Sequence, residues 1–139
     1  MAIRSGSAIW SGDLKSGKGH LKVDSGAYDG AYSFSSRFEE GTGTNPEELI
    51  AAAHAGCYSM ALAHGLAEAG FKADAVETTA KVHLVPGVGI GPIELINNSK
   101  VPGISEEKFQ EIATATKTAC PVSKALSAVE IKLEARLSK

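Results

Sequence analysis

The segment NPEELIAAAHAGCYSMALAHGLAEAG, residues 45–70, decides how the rest of the chain is read. It opens with a helix-start signature: Asn45 as N-cap, Pro46 at the first helical position, and Glu47 and Glu48 near the positive helix end. The helix is expected to run to about Ala69, with Gly70 as its stop. From Ala51 to Gly70, eleven of twenty residues are Ala or Gly, so no face carries much side chain and neighbours can approach closely. Such a helix is expected at the crowded centre of the fold, against a second copy of itself. Cys57 is the odd residue in it. Cysteine adds little to helix formation, and an Ala-rich helix does not need one for packing.

On the N-terminal side the chain reads as β structure. SAIW (7–10), GHLKV (19–23) and AYSFSSRF (31–38) are short runs separated by turn-rich segments. In the third run Tyr32, Phe34, Ser36 and Phe38 would share one strand face, leaving Ser33, Ser35 and Arg37 on the other. On the C-terminal side two long β runs, 73–86 and 90–103, are joined near PGVGIG. A helix is expected over 105–119, with Ser105 as N-cap and Phe109, Ile112 and Ala113 at helical spacing. CPVSKAL (120–126) suggests a short helix, and VEIKLEARL (129–137) alternates as a last strand. This order gives an α+β protein of antiparallel sheets around the Ala/Gly-rich helix, read as one domain over residues 1–139.

Composition narrows the function classes. Charged residues make up 22% and the net charge is −2, so no basic patch points to nucleic acid or to an acidic membrane surface. The start, MAIRSGSAIW, lacks the apolar core of a secretory signal, and the apolar stretch 49–63 is too short to span a bilayer. A cytoplasmic protein is the resulting expectation. In that reducing setting the two cysteines, Cys57 and Cys120, point to redox chemistry more than to a structural bridge.

Two motifs mislead. GDLKSGKG (12–19) nearly spells a phosphate-binding loop, but it lacks the magnesium-holding Ser/Thr and a strand follows it. GVGIG (87–91) echoes a dinucleotide fingerprint, yet Pro92 and β-type residues follow, as in a hairpin. His54 and Cys57, three apart on a helix, could offer two ligands to zinc with Cys120 as a third, but no CxxC or HExxH supports a metal site. His64 lies ten residues from His54 and cannot share a site with it on a straight helix.

The two thiols differ in their surroundings. Cys120 precedes Pro121, so it would cap a helix N-terminus, a setting that lowers a thiol pKa. Cys57 is mid-helix and has no such help. Local sequence therefore nominates Cys120 as the more nucleophilic, while either could equally be a small buried hydrophobe.

Three blocks shift that balance: WSGDLKSGKG (10–19), SRFEEGTGTNPEELIAAAHAGCYSMAL (36–62) and ACPVSKAL (119–126). In this order, and over nearly the whole chain, they closely resemble the osmotically inducible protein C (OsmC) family, peroxidases related to the organic hydroperoxide resistance (Ohr) proteins. The resemblance implies an intertwined homodimer with two active sites at the subunit interface. It implies that Cys57 attacks the peroxide, Cys120 resolves the product as a disulfide, Arg37 partners the thiolate and Glu47 positions that arginine. It assigns no role to His54. Organic hydroperoxides are the implied substrates and an external dithiol or lipoyl group the reductant, with no metal, haem or flavin cofactor. Ile50, Tyr58, Met60 and Phe38 are candidates for an apolar entrance. A thiol sensor or stress-binding protein, switching once without turnover, is the alternative.

Under the family reading Arg37 supplies the charge that Cys57 lacks. An ordinary thiol with pKa near 8.5 is about 3% ionised at neutral pH, so full ionisation gains only about thirty-fold. Enzymes achieve far more, and the remainder must come from stabilising charge on the parting peroxide oxygens. Glu47 and Cys57 are ten positions apart, about 15 Å along one helix. Glu47 must therefore act through Arg37 or across a subunit boundary, and the second route is the favoured expectation.

Overall fold

Five hydrogen bonds around the start of the long helix organise this end of the chain. The computed structural model describes residues 1–138, in two compact units, Met1–Leu49 and a second that begins at Ile50. In the first unit β1 (Gly6–Ser11), β2 (Lys18–Val23) and β3 (Asp29–Tyr32) form an antiparallel sheet in that order. A strand follows GDLKSGKG, as expected for a glycine turn, and the Trp10 and Tyr32 rings stack on this sheet with centroids 5.3 Å apart.

The third run departs from expectation. Its strand stops at Tyr32, and residues Phe34–Phe38 form a short helix, α1. The cause is local polar chemistry that outweighs alternation. Ser33 Oγ accepts from the Ser36 amide while Ser36 Oγ accepts from the Ser33 amide, a reciprocal capping box. Ser36 Oγ also donates to Thr44 O at 2.7 Å, and Asn45 Nδ2 donates to Ser36 O at 2.9 Å. Asn45 Oδ1 accepts from the Glu48 amide, as an N-cap should. These bonds fold the 39–45 loop back, so α1 lies beside the start of α2 (Pro46–Glu68).

In the second unit β4 (Ala75–Val85) and β5 (Gly89–Lys100) form the expected hairpin, and α3 (Glu106–Ala119) and α4 (Pro121–Ala125) precede β6 (Ile131–Ser138). Pro92 sits where the register shifts between Val82 and Leu84, a bulge that excuses it from the ladder. The antiparallel expectation fails at β6, which pairs parallel to β5. The α3–α4 crossover is long enough to return the chain to the same end of the sheet, which a tight hairpin cannot do.

Buried residues of α2 recur every fourth position: His54, Tyr58, Leu62 and Leu66, each fully buried. Tyr58, Leu62 and Leu66 pack with Ile93 and Leu95 of β5 and Phe109 and Ala113 of α3. Tyr58 Oη donates to Ala113 O at 2.9 Å, and Ser59 Oγ donates to Thr78 Oγ1 at 2.7 Å, fixing the helix to α3 and to the sheet. Its other side is small and exposed, with Met60 at 78% exposure. The helix has 23 residues, more than the apolar stretch suggested, and by length and composition alone it could cross a bilayer. Its stripe is instead committed to the core of the second unit.

Two stability consequences follow from these contacts. Ser36→Ala removes one half of the capping box and the tie to Thr44, and should cost about 1–2 kcal/mol in urea unfolding. His54 is held neutral, because burial pushes its pKa below the ordinary histidine value. The unfolded chain binds a proton there first, so stability is full above about pH 6.5 and falls as the pH drops below it. Unfolding midpoints measured from pH 8 down to about pH 5 should show that slope, and His54→Gln should flatten it.

Candidate functional site

The four sequence-nominated residues fall into two pairs. The first pair belongs to the first unit. Arg37 stands in the last turn of α1 and Glu47 in the first turn of α2, ten residues apart in sequence. The fold-back of the 39–45 loop makes them partners. Arg37 Nε lies 3.1 and 3.2 Å from Glu47 Oε1 and Oε2, and Nη2 lies 2.8 Å from Oε1. The Glu47 side chain is 9% exposed and that of Arg37 is 35% exposed. The carboxylate is thus largely withdrawn from water and grips one edge of the guanidinium. The opposite edge, with Nη1, has no hydrogen-bond partner among the described residues and can meet an anionic or polar group. Glu47 is therefore the partner of Arg37 within its own chain.

Arg37 also borders a cleft of about 240 Å³. Trp10, Leu14, Tyr32, Phe34 and Phe38 line it together with Arg37. The guanidinium carbon lies 5.3 Å from the Phe38 ring centre, and the Phe34 and Phe38 rings are 4.8 Å apart. Among the expected entrance residues, Phe38 does stand here. Tyr58 does not: it is a core residue of the second unit, bonded to α3. The sequence reading did not nominate Trp10, Leu14 and Tyr32, whose convergence depends on the register Trp10↔Gly19↔Tyr32 across three strands.

The second pair belongs to the second unit. Cys57 is half-buried on α2, and Cys120 is fully buried where α3 ends and α4 begins. Both are free thiols and both belong to one packed cluster. They are close enough for each to bias the other's ionisation. Burial pushes the Cys57 thiol up, and its contact with Cys120 adds to that, against a lowering from the Val122 amide. Burial opposes ionisation of Cys120 too, but the Ser123 amide, the Cys57 thiol, the Ser123 hydroxyl and the Val122 amide together bring it below the ordinary value. The expectation that Cys120 gains from a helix N-terminus is met. Within this unit Cys120 is the thiol shifted towards ionisation and Cys57 the one shifted away from it.

His54 lies one turn before Cys57, and its Nε2 is 2.7 Å from Ser123 Oγ. It does not join the cysteines in a ligand cluster: among the described residues no group of three His, Cys, Asp or Glu side chains stands together. His64 instead meets Glu68, 3.4 Å away on the exposed helix surface.

The OsmC-like protein family model matches residues 39–134. The chain is 46% identical over 138 residues to Peroxiredoxin OsmC of Escherichia coli (strain K12), covering 96% of each chain. It is 37% identical over 123 residues to the organic hydroperoxide resistance protein OhrB of Bacillus subtilis (strain 168), covering 84% of this chain and 88% of that one. The crystal structure of B. subtilis OhrB superimposes with a TM-score of 0.69 at 30% identity, over 95% of this chain and 98% of the other. With a family model spanning Glu47 and the two cysteines, and relatives matched nearly end to end, the chain belongs to the OsmC-like protein family.

Proposed function

We propose that this protein is a thiol-dependent peroxidase that reduces organic hydroperoxides to alcohols as part of a stress response. The observation that carries this reading is the meeting of Cys57 and Cys120 in one cluster, although 63 residues (120 − 57) separate them in sequence. Two free thiols that perturb each other's protonation are poised to exchange a proton or a bond. The relatives named for peroxiredoxin activity and for organic hydroperoxide resistance support the same chemistry.

Cys57, the more accessible sulfur, attacks the distal peroxide oxygen as thiolate. The O–O bond breaks, an alcohol leaves after taking a proton, and Cys57 becomes a sulfenic acid. Cys120 then condenses with it, releasing water and closing a disulfide. An external dithiol, such as a lipoyl group, reduces that bond by exchange. The cycle calls on sulfur chemistry alone, so no metal, haem or flavin is assigned to it. A cytoplasmic setting suits it, since a reducing compartment keeps both thiols ready.

Arg37 answers a specific deficit. Burial raises the Cys57 thiol, so a fixed positive charge is needed to favour its thiolate and the charge on the parting oxygens. We read the Arg37–Glu47 pair as the donor that serves Cys57 across a homodimer interface. The small, exposed side of α2 suits such an interface, and the two units then act as one catalytic domain. The aromatic cleft beside Arg37 would hold the apolar part of an organic hydroperoxide in preference to hydrogen peroxide.

Peroxide turnover with excess dithiol tests this reading. Cys57→Ser should be inactive, while Cys120→Ser should react once and then over-oxidise or recover slowly with added thiol. A switch without turnover would consume one equivalent per chain; many equivalents identify an enzyme. Arg37→Met should lower kcat/KM by at least about a hundredfold, the usual cost of losing one transition-state donor. The acid limb of its pH profile should move to higher pH, because loss of the positive charge raises the thiol pKa. Mixed dimers of Cys57→Ala and Glu47→Ala chains should regain activity if the pair serves the neighbouring chain.

A further inference from the structure

Two buried polar residues next to Cys120 have no part in the cycle above. Ser123 is 4% exposed and His54 is fully buried, and their contact joins α4 to α2 across 69 residues of sequence. His54 Nδ1 has no hydrogen-bond partner among the described residues. A buried imidazole with one idle nitrogen is costly to keep, and packing alone would be served by leucine. The position of Ser123 is informative. Cys120 is the N-cap of α4 and Ser123 its N3 residue, the two positions that face each other in a capping box, although the Cys120 side chain makes no cap hydrogen bond.

One direction of the chain carries the smaller penalty, since an idle buried lone pair costs less than an idle buried N–H. A serine hydroxyl has one proton and two lone pairs, and a neutral imidazole carries one N–H. With the imidazole proton assigned to Nε2, Ser123 Oγ accepts from His54 and its own proton is free to point at the N-cap sulfur. Nδ1 is then left with a bare lone pair, in keeping with its lack of a partner.

We propose that His54 and Ser123 are positioning residues for the resolving thiol: His54 Nε2–H donates to Ser123 Oγ and orients its hydroxyl proton onto Cys120 Sγ. This rests on the peroxidase reading and deepens it. The relay holds Cys120 as the attacking sulfur of disulfide closure and as the leaving sulfur of disulfide reduction.

The steps balance. Cys120 thiolate bonds to the Cys57 sulfenic sulfur; the S–O bond breaks with both electrons on oxygen, and the hydroxide takes one proton to leave as water. The sulfenic sulfur is reduced as Cys120 is oxidised. In the return step a dithiol reductant attacks the half-buried Cys57 sulfur, since Cys120 is closed off, and Cys120 departs as thiolate. Exchange is faster when the leaving thiol has the lower pKa. The downward direction at Cys120, where burial is outweighed by the Ser123 amide, Cys57 and the Ser123 hydroxyl, agrees with this. Besides His54, the titratable groups that face Cys120 are Cys57 and Tyr58, both from α2.

Two readouts test it, and the first needs no peroxide. In a Cys57→Ser background, thiolate ultraviolet absorbance follows the titration of Cys120. Adding Ser123→Ala or His54→Leu should raise its midpoint by about one pH unit, a tenfold loss of thiolate. His54→Gln, which keeps an N–H near the Nε2 position, should stay close to the parent. The second readout is single turnover with one equivalent of cumene hydroperoxide, quenched and weighed by mass spectrometry. A tenfold loss of thiolate, partly offset by higher intrinsic nucleophilicity, should slow disulfide closure about threefold relative to Cys57 oxidation. The sulfenic and sulfinic forms should accumulate accordingly. Unchanged midpoint and closure in Ser123→Ala and His54→Leu, or equal loss in His54→Gln and His54→Leu, would overturn the relay. Failure of peroxide to oxidise Cys57 at all would remove the peroxidase reading instead, and the titration would still decide the relay.

Discussion

The fourfold spacing of buried residues along α2 is the constraint from which the thiol chemistry follows. His54, Tyr58, Leu62 and Leu66 fix the rotation of the helix, and that rotation decides where Cys57 points. A helix made mostly of Ala and Gly has little else to hold its register, so four side chains and the Ser59–Thr78 hydrogen bond carry the task. Turned by one residue, or about 100°, the same helix would carry Cys57 away from Cys120. Packing here is the means by which two distant cysteines become neighbours.

The thiol pair and the ion pair solve complementary problems. In the second unit the hydrogen bonds at the start of α4 lower the Cys120 thiol against its burial, while burial pushes the half-exposed Cys57 thiol up. In the first unit a guanidinium is gripped on one edge by a withdrawn carboxylate, its other edge free. Glu47 fixes the orientation of Arg37, which would otherwise move with three or four soft torsions. A donor held in advance loses little when it meets developing charge. The aromatic cleft beside it joins that polar edge to an apolar wall, a combination suited to an alkyl or aryl hydroperoxide.

Much of this was legible from residues alone. Asn45–Pro46–Glu47, Gly70, Ser105 and Cys120–Pro121 marked helix ends where they occur, because caps are local chemistry. The β4–β5 hairpin followed from two long runs around a glycine-rich turn. Residues 33–38 misled because alternating aromatics mimic a strand, whereas the Ser33–Ser36 capping box, visible as a serine pair three apart, decides for helix. The parallel entry of β6 is set by the crossover and has no local signature. Arg37, Glu47 and Cys120 were reachable through family likeness, and their pairings only through the fold. Ser123 went unnoticed, although its place three residues after an N-cap cysteine was the signal. The small residues of α2 were read from composition as a crowded central helix, and the exposure of one side was not foreseen.

Cys57 and Cys120 also lie on separate structural elements, α2 and the α3–α4 corner. A covalent bond between them would close a loop of 63 residues (120 − 57) through the hairpin and α3. By chain entropy such a staple disfavours the unfolded chain by about 4 kcal/mol, comparable to much of a small protein's net stability. The oxidised molecule is then the durable one, and the reduced molecule the more easily opened and degraded.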